Sequence, residues 1–258
     1  MAPRDARTTT TPDTMTEAEW QTRIDLAAAY RLIAHFGMDD LIYNHISARV
    51  PGPEDHFLLN PFGVLYEEVT ASNLVKVDLD GNILSQTEDK INPAGFVIHS
   101  CVHRARHDLT CIIHTHTTAG VGVSAQADGL LPISQTGLLY KDLIGYHEFE
   151  GLALNLAEQE RLLADLGQDK QLLILRNHGL LACGRSIPEA FVMMFYLEQA
   201  CRIQVAAQSG GARLHMPPKE VQDLTHKQAM TGLGADLGTR EFAALKRRLD
   251  RLEADYAC

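Results

Sequence analysis

A chain of 258 residues, 45% of them apolar, can bury a full core as one large domain or one domain with tails. The net charge of −10 and pI near 5.6 argue against nucleic acid or an anionic membrane surface as the principal partner. Residues 1–15 lack the apolar centre of a secretory signal and no later apolar run could span a bilayer, so a cytoplasmic protein is expected. Five cysteines without Cys-x-x-Cys spacing read as reduced core residues, with terminal Cys258 the exception.

Taken in order, residues 1–15 are expected to be a disordered tail, with Met15 a conceivable second start. Thr16 and Glu19 form a capping-box signature for a helix that carries Trp20, Ile24, Ala27 and Ile33 and ends near Gly37. Leu41 to Val50 and His56 to Asn60 predict a hairpin about Pro51-Gly52-Pro53, followed by a loop at Pro61-Phe62-Gly63. Val75 to Leu79 and Ile83-Leu84 predict a second pairing across Asp80-Gly81. Pro93 opens a helix to about Arg106, with Phe96, Val97 and Val102 as its apolar contacts. A strand ending in His114-Thr115-His116 follows, then a small-residue helix over Thr117 to Ala127. Ala157 to Leu166 reads as helix and Leu172 to Leu175 as a buried strand. Ser186-Ile187-Pro188-Glu189 caps a long helix through Val205 that Gly210-Gly211 ends. Met216 to Gly238 is polar and turn-rich, and Arg240 to Asp255 predicts a charged terminal helix, solvated or packed against another subunit. The economical organisation is one α/β domain over 16–212 and a C-terminal extension over 213–258.

Alternate side chains of a strand leave on one face, so His114 and His116 project together, about 7 Å apart at Cα. His178 falls just past the strand at Leu172-Leu175, where loops carry functional groups over a rigid sheet. Three neutral imidazoles without sulfur suit zinc, iron or cobalt and leave a coordination position open. In a chain with 12 histidines the same pattern also arises by chance.

The order of motifs from about Trp20 to Gly210 resembles the class II aldolase/adducin family. The stretches that carry the likeness are Ile42-Tyr43-Asn44-His45-Ile46-Ser47, Asn60-Pro61-Phe62-Gly63, Asn92-Pro93-Ala94-Gly95-Phe96, His114-Thr115-His116 and Arg176-Asn177-His178-Gly179-Leu180. The resemblance implies an α/β fold, a three-layer α-β-α sandwich with a mixed, largely antiparallel central sheet. It implies a homotetramer with active sites between subunits. It also implies zinc, with Fe2+, Co2+ or Mn2+ as alternatives, on His114, His116 and His178. The family's aldolases carry a Glu or Asp, fourth ligand and proton-transfer base, where this chain has Gly95. They hold substrate phosphate at positions that here read Asn44, His45, Phe62, Pro93 and Ala94, with Gly63 the one match. Asn44, Phe62, Gly63 and Gly95 are therefore the candidate substrate-lining residues. Tyr140 is the candidate for the tyrosine that a neighbouring subunit lends to the aldolase site, within a segment, Pro132 to His147, expected to reach the neighbour's pocket.

Tyr43-Asn44-His45-Ile46-Ser47, Val69-Thr70-Ala71-Ser72 and Leu131-Pro132-Ile133-Ser134 look more like the adducin head than the aldolases. Two readings follow. The first is a metal-dependent lyase that breaks a carbon–carbon bond of a small oxygenated acid or carbonyl compound through a metal-stabilised enolate. With Gly95 unable to act as base, decarboxylation suits the site better than retro-aldol cleavage, and His45 is the candidate to supply or take a proton. Lys90 is a further candidate cation for an acidic substrate, or a solvated surface lysine. A glutamate introduced at 95 is expected to reach the open coordination position. The second reading is a non-catalytic, adducin-like scaffold of the cytoskeletal, actin-binding type that keeps the fold and the metal; the missing long basic tail of adducins weighs against it. An iron oxygenase using the same histidines is a third.

Overall fold

The first helix, α1 (Glu17–His35), starts on the expected cap, Thr16, whose hydroxyl accepts from the Glu19 amide at 3.1 Å. The reciprocal half of the box is not made: the Glu19 carboxylate bonds Arg23 at 3.1 Å and Lys76 at 2.9 Å. The chain is seen in a computed structural model that describes residues 15–52, 55–152, 156–233 and 236–258. The expected tail over 1–15 thus lies, Met15 apart, outside the described residues, as does Pro53 of the expected hairpin turn.

Seven strands form one sheet among the described residues: β1 (His45–Arg49), β2 (His56–Leu59), β3 (Val75–Asp78), β4 (Cys111–Thr115), β5 (Ile144–His147), β6 (Leu172–Leu175) and β7 (Gly179–Gly184). Their order is β3-β2-β1-β4-β7-β6-β5, with β5 and β6 parallel and every other pair antiparallel. Side chains of β4 alternate between two cores. Cys111 and Ile113 join Ile46, Leu180 and Ala182 under α1 and the long helix α6 (Ile187–Ser209). Ile112 joins Leu173, Leu181 and Cys183 under α2 (Pro93–Ala105) and α5 (Glu158–Leu166). That alternation produces the three-layer α-β-α sandwich.

Short helices α3 (Thr118–Ser124) and α4 (Gln135–Leu138) pack on α6, so the helix expected to 127 stops at Ser124. The expected pairing across Asp80-Gly81 forms as a single antiparallel bridge, Val77 to Ile83, with Leu84 donating to the Lys76 carbonyl at 2.8 Å, too short for a strand, and both Ile83 and Leu84 stand about 40% exposed. The segment expected to be turn-rich holds a helix, α7 (Lys219–Leu233), begun by the Pro218 carbonyl accepting from Val221 and Gln222. Its sparse apolar residues hide a helical period, yet Glu, Gln, Lys, Ala and Leu are good helix formers. The terminal helix α8 (Thr239–Leu252) buries Phe242 and Leu249 against its own chain rather than lying solvated. After it, Ala71 and Ser72 donate to the carbonyls of Tyr256 and Cys258, each at 2.9 Å, which ties the C-terminus beside α1. No helix among the described residues is long and apolar enough to cross a membrane.

Candidate metal centre

The three histidines of the sequence pattern come from two neighbouring strand ends. His114 is the last residue but one of β4, His116 is the first residue past its end, and His178 stands in the three-residue turn from β6 to β7. That turn needs its residues. Asn177 takes φ +56°, a left-handed conformation that Asn tolerates, and the His178 amide bonds back to the Leu175 carbonyl at 3.1 Å. A Cβ at Gly179 would meet the Thr115 carbonyl oxygen at 2.3 Å, so only glycine lets β7 pass β4 here.

The Nε2 atoms converge: 2.8 Å from His114 to His116, 3.2 Å from His114 to His178 and 3.1 Å from His116 to His178. The other ring nitrogens decide what those atoms carry. His114 Nδ1 lies 2.9 Å from the Leu180 carbonyl and His116 Nδ1 lies 3.0 Å from the Asp40 carboxylate. Both partners only accept, so each Nδ1 holds the hydrogen and each Nε2 presents a lone pair. Burial and the neighbouring rings push His114 well below the ordinary histidine range and His178 to about 4, so these rings are neutral. Lone pairs facing each other near 3 Å repel unless a cation sits between them. Nitrogen ligands at 2.0–2.1 Å from a tetrahedral zinc lie about 3.3 Å apart, close to the spacing here. The three rings therefore fit a divalent ion, and the anchors on Nδ1 are the outer-shell partners such ligands use. Four cysteines are buried and hold their protons, burial having pushed Cys101 and Cys201 up to about 12, so sulfur does not compete.

His45 is brought to the same place. It pairs directly across from His114 in the β1–β4 register, and the two rings lie 5.0 Å apart at 31°. Gly95, third residue of α2, faces it: an added Cβ would meet His45 Cδ2 at 2.6 Å and Cγ at 2.8 Å. This overturns the expectation that a glutamate at 95 would simply reach the coordination position, because the imidazole already fills that space. Asn44 is 0% exposed, and neither polar atom of its side chain has a partner among the described residues. Phe62 and Gly63 sit in the loop after β2, Phe62 40% exposed and Gly63 at φ +97°. That loop is tied to β1 through Tyr30, which bonds both Ile46 and Asn60, but no hydrogen bond or ring contact joins Phe62 or Gly63 to the histidines among the described residues. Exposed Lys90 offers that loop a carbonyl, accepting from the Phe62 amide at 2.7 Å. Tyr140 is a correction. It is 3% exposed in the core beside α6, its hydroxyl buried without a partner among the described residues, so as packed it can reach no neighbour's pocket.

Residues 24–205 match the family model described as Class II Aldolase and Adducin N-terminal domain. The chain belongs to this family. Within it, a solved structure of an aldolase II superfamily protein from Pseudomonas syringae is 53% identical, with a TM-score of 0.90 over 95% of this chain and 98% of that one. L-fuculose 1-phosphate aldolase from Glaciozyma antarctica is 27% identical, with a TM-score of 0.81 over 97% of this chain and 98% of that one. Alpha-adducin of Mus musculus is 44% identical over 89% of this chain, which spans 33% of the adducin's length.

Sequence reasoning about this aldolase/adducin domain missed the outer shell. Asp40 stands 76 residues from His116, and nothing local marks the pairing. His99, bonded to His45 at 2.8 Å, and His103 did leave a signal: they lie four apart in Phe96-Val97-Ile98-His99-Ser100-Cys101-Val102-His103, on the helix face whose neighbours are apolar.

Proposed function

We propose that this aldolase/adducin-family chain is a metal-dependent lyase, holding zinc on His114, His116 and His178 and breaking a carbon–carbon bond of a small oxygenated acid or carbonyl compound. The observation that carries this reading is the convergence of three Nε2 atoms within 3.2 Å, two of them with Nδ1 bonded to acceptors. A divalent cation bound there supplies Lewis-acid polarisation of a substrate oxygen. Asn44, next to His45 in the chain, stays a candidate for meeting that substrate only if binding uncovers its amide, which is 0% exposed and unpartnered among the described residues, an arrangement that costs roughly 1–3 kcal/mol when left unsatisfied. Gly95 offers no carboxylate, and the His45 ring occupies its side-chain space. A reaction that begins by removing a hydroxyl proton lacks its base, whereas loss of carbon dioxide needs none, so decarboxylation is favoured over retro-aldol cleavage.

The assembly that goes with this reading is a homotetramer with the site near a subunit boundary. Exposed apolar side chains around the histidines support it: Leu41 beside Asp40, Tyr43 beside Asn44, and Phe149, whose ring lies 6.4 Å from that of His178. A second reading, a metal-bearing scaffold without turnover, draws on the 44% identity to alpha-adducin.

The test is elemental analysis of the purified protein together with a decarboxylation screen over small keto acids, using the zinc-loaded chain and His116→Ala. The lyase reading expects about one zinc per chain and a turnover that His116→Ala abolishes. One zinc per chain with no turnover of any keto or hydroxy acid would instead establish the scaffold.

A further inference from the structure

Behind His45 runs a buried line of hydrogen bonds that the metal centre does not use. His45 Nδ1 lies 2.8 Å from His99 Nε2, His99 Nδ1 lies 2.5 Å from Ser47 Oγ, and Ser47 Oγ lies 2.8 Å from His103 Nε2. Strand β1 supplies His45 and Ser47, two residues apart on one face, and α2 supplies His99 and His103, one turn apart. All four are buried, none more than 3% exposed.

The line has a direction. A neutral imidazole owns one N–H and one lone pair; the Ser47 hydroxyl could accept from both rings, but its own hydrogen would then be buried with no partner among the described residues, so every hydrogen is used only if all point the same way. Pointing inward, the line ends in an N–H on His103 Nδ1; pointing outward, it ends there in a bare lone pair. His103 Nδ1 is buried and has no partner among the described residues. Either direction leaves one N–H without a partner among the described residues: inward it is the fully buried His103 Nδ1, outward it is His45 Nε2, which is not one of the buried unpartnered atoms and stands at the end of the line that Gly95 leaves open, so the inward ending is the costlier. The outward direction therefore holds: His103 donates to Ser47, Ser47 to His99, and His99 to His45 Nδ1.

We infer that this line holds His45 as the neutral Nε2–H tautomer, so that it presents a hydrogen-bond donor, not a base, to a substrate oxygen on which negative charge develops. The inference rests on the reading that substrate binds beside an ion on His114, His116 and His178. His45 Nε2 makes no hydrogen bond among the described residues, and it lies 3.1 Å from where a Cβ at Gly95 would stand. A side chain at 95 would cover this donor; glycine leaves it open. Preorganised donors of this kind are worth about 10²–10³-fold in turnover where charge develops on oxygen. Ser47, His99 and His103 are then positioning residues that act through His45. A substrate class follows: compounds whose reacting carbon sits next to a carbonyl or carboxylate oxygen able to accept from an imidazole N–H.

The test is two-bond 1H–15N correlation spectroscopy of the full chain with 15N-labelled histidine, with and without zinc, assigned by single His→Gln replacements. His45, His99 and His103 should each show a protonated Nε2 and an unprotonated Nδ1, unchanged by zinc, while His114 shows the opposite tautomer and its Nε2 signal moves when zinc binds. Protonated Nδ1 on His45, or an imidazolium at neutral pH, overturns the inference. Zinc that moves none of His114, His116 and His178 would defeat the metal reading beneath it, whatever the tautomer of His45. In Ser47→Ala the line is cut, and His45 should populate both tautomers with zinc affinity unchanged; a His45 still wholly Nε2–H in that variant contradicts the role given to the line.

Discussion

At His114 and His116 the Nδ1 nitrogen faces an acceptor, the Leu180 carbonyl or the Asp40 carboxylate, and the ring must turn a lone pair toward its neighbours. At His45 the same nitrogen faces another ring, the near end of a line that closes on the orphan nitrogen of His103. Burial is alike in the two groups, His114 and His45 both being almost fully enclosed. What separates them is the partner behind each ring: an acceptor makes a metal ligand, and a donor makes a hydrogen-bond donor. A count of histidines cannot tell the two apart.

Both groups should fail together in acid. Burial holds His45, His99 and His114 well below the ordinary histidine range and His103 at about 3, so between 6.5 and 3 the unfolded chain binds protons that the folded one refuses. Stability is fully present above the unfolded value of about 6.5 and is lost as pH falls, by about 1.4 kcal/mol per pH unit for each such histidine. From pH 6.5 to 4 His103 alone should cost roughly 3 kcal/mol, read as a falling urea midpoint in zinc-free protein. His103→Phe should flatten that slope, and an unchanged slope would show the ring is not held neutral.

Gly179→Ala strikes only the metal group. Its methyl must push the Thr115 carbonyl aside, which should destabilise the chain by about 3 kcal/mol in chemical denaturation and release zinc by spreading His116 from His178. Asp40→Asn keeps the shape but weakens the acceptor on His116, and chelator competition should find zinc bound about 10–100-fold more weakly. Gly95→Ala acts first on the second group: it must displace the His45 ring, which lies 5.0 Å from that of His114 but is no ligand, so the loss of zinc affinity should fall well short of that in Asp40→Asn while the His45 resonances shift. A large loss of zinc in Gly95→Ala would erase the distinction between the groups.

How much of this was legible in the chain follows from distance along it. The caps at Thr16 and Ser186 bond the amides of Glu19 and Glu189 three residues on, so local pattern sufficed. His114 and His116 were legible because a strand repeats every two residues, and His178 because a turn followed a buried strand. Strands β5 and β7 were not legible, since four residues at Ile144 and a run of Leu, Ala and Cys at 180–183 earn their state from pairing with β6. The directions of the ring hydrogens depend on Asp40, Leu180, His99 and His103, contacts of 54 to 76 residues that no local pattern encodes. Tyr140 misled because a tyrosine in the expected segment says nothing of which way it faces.

X-ray absorption at the zinc edge of the purified, zinc-loaded chain reads the ligands of the bound ion themselves. Zinc on His114, His116 and His178 should show three imidazole nitrogens at about 2.0–2.1 Å, one or two oxygen neighbours and no sulfur, with the imidazole signal collapsing in His116→Ala. A shell containing sulfur at about 2.3 Å, or oxygen alone, would contradict it.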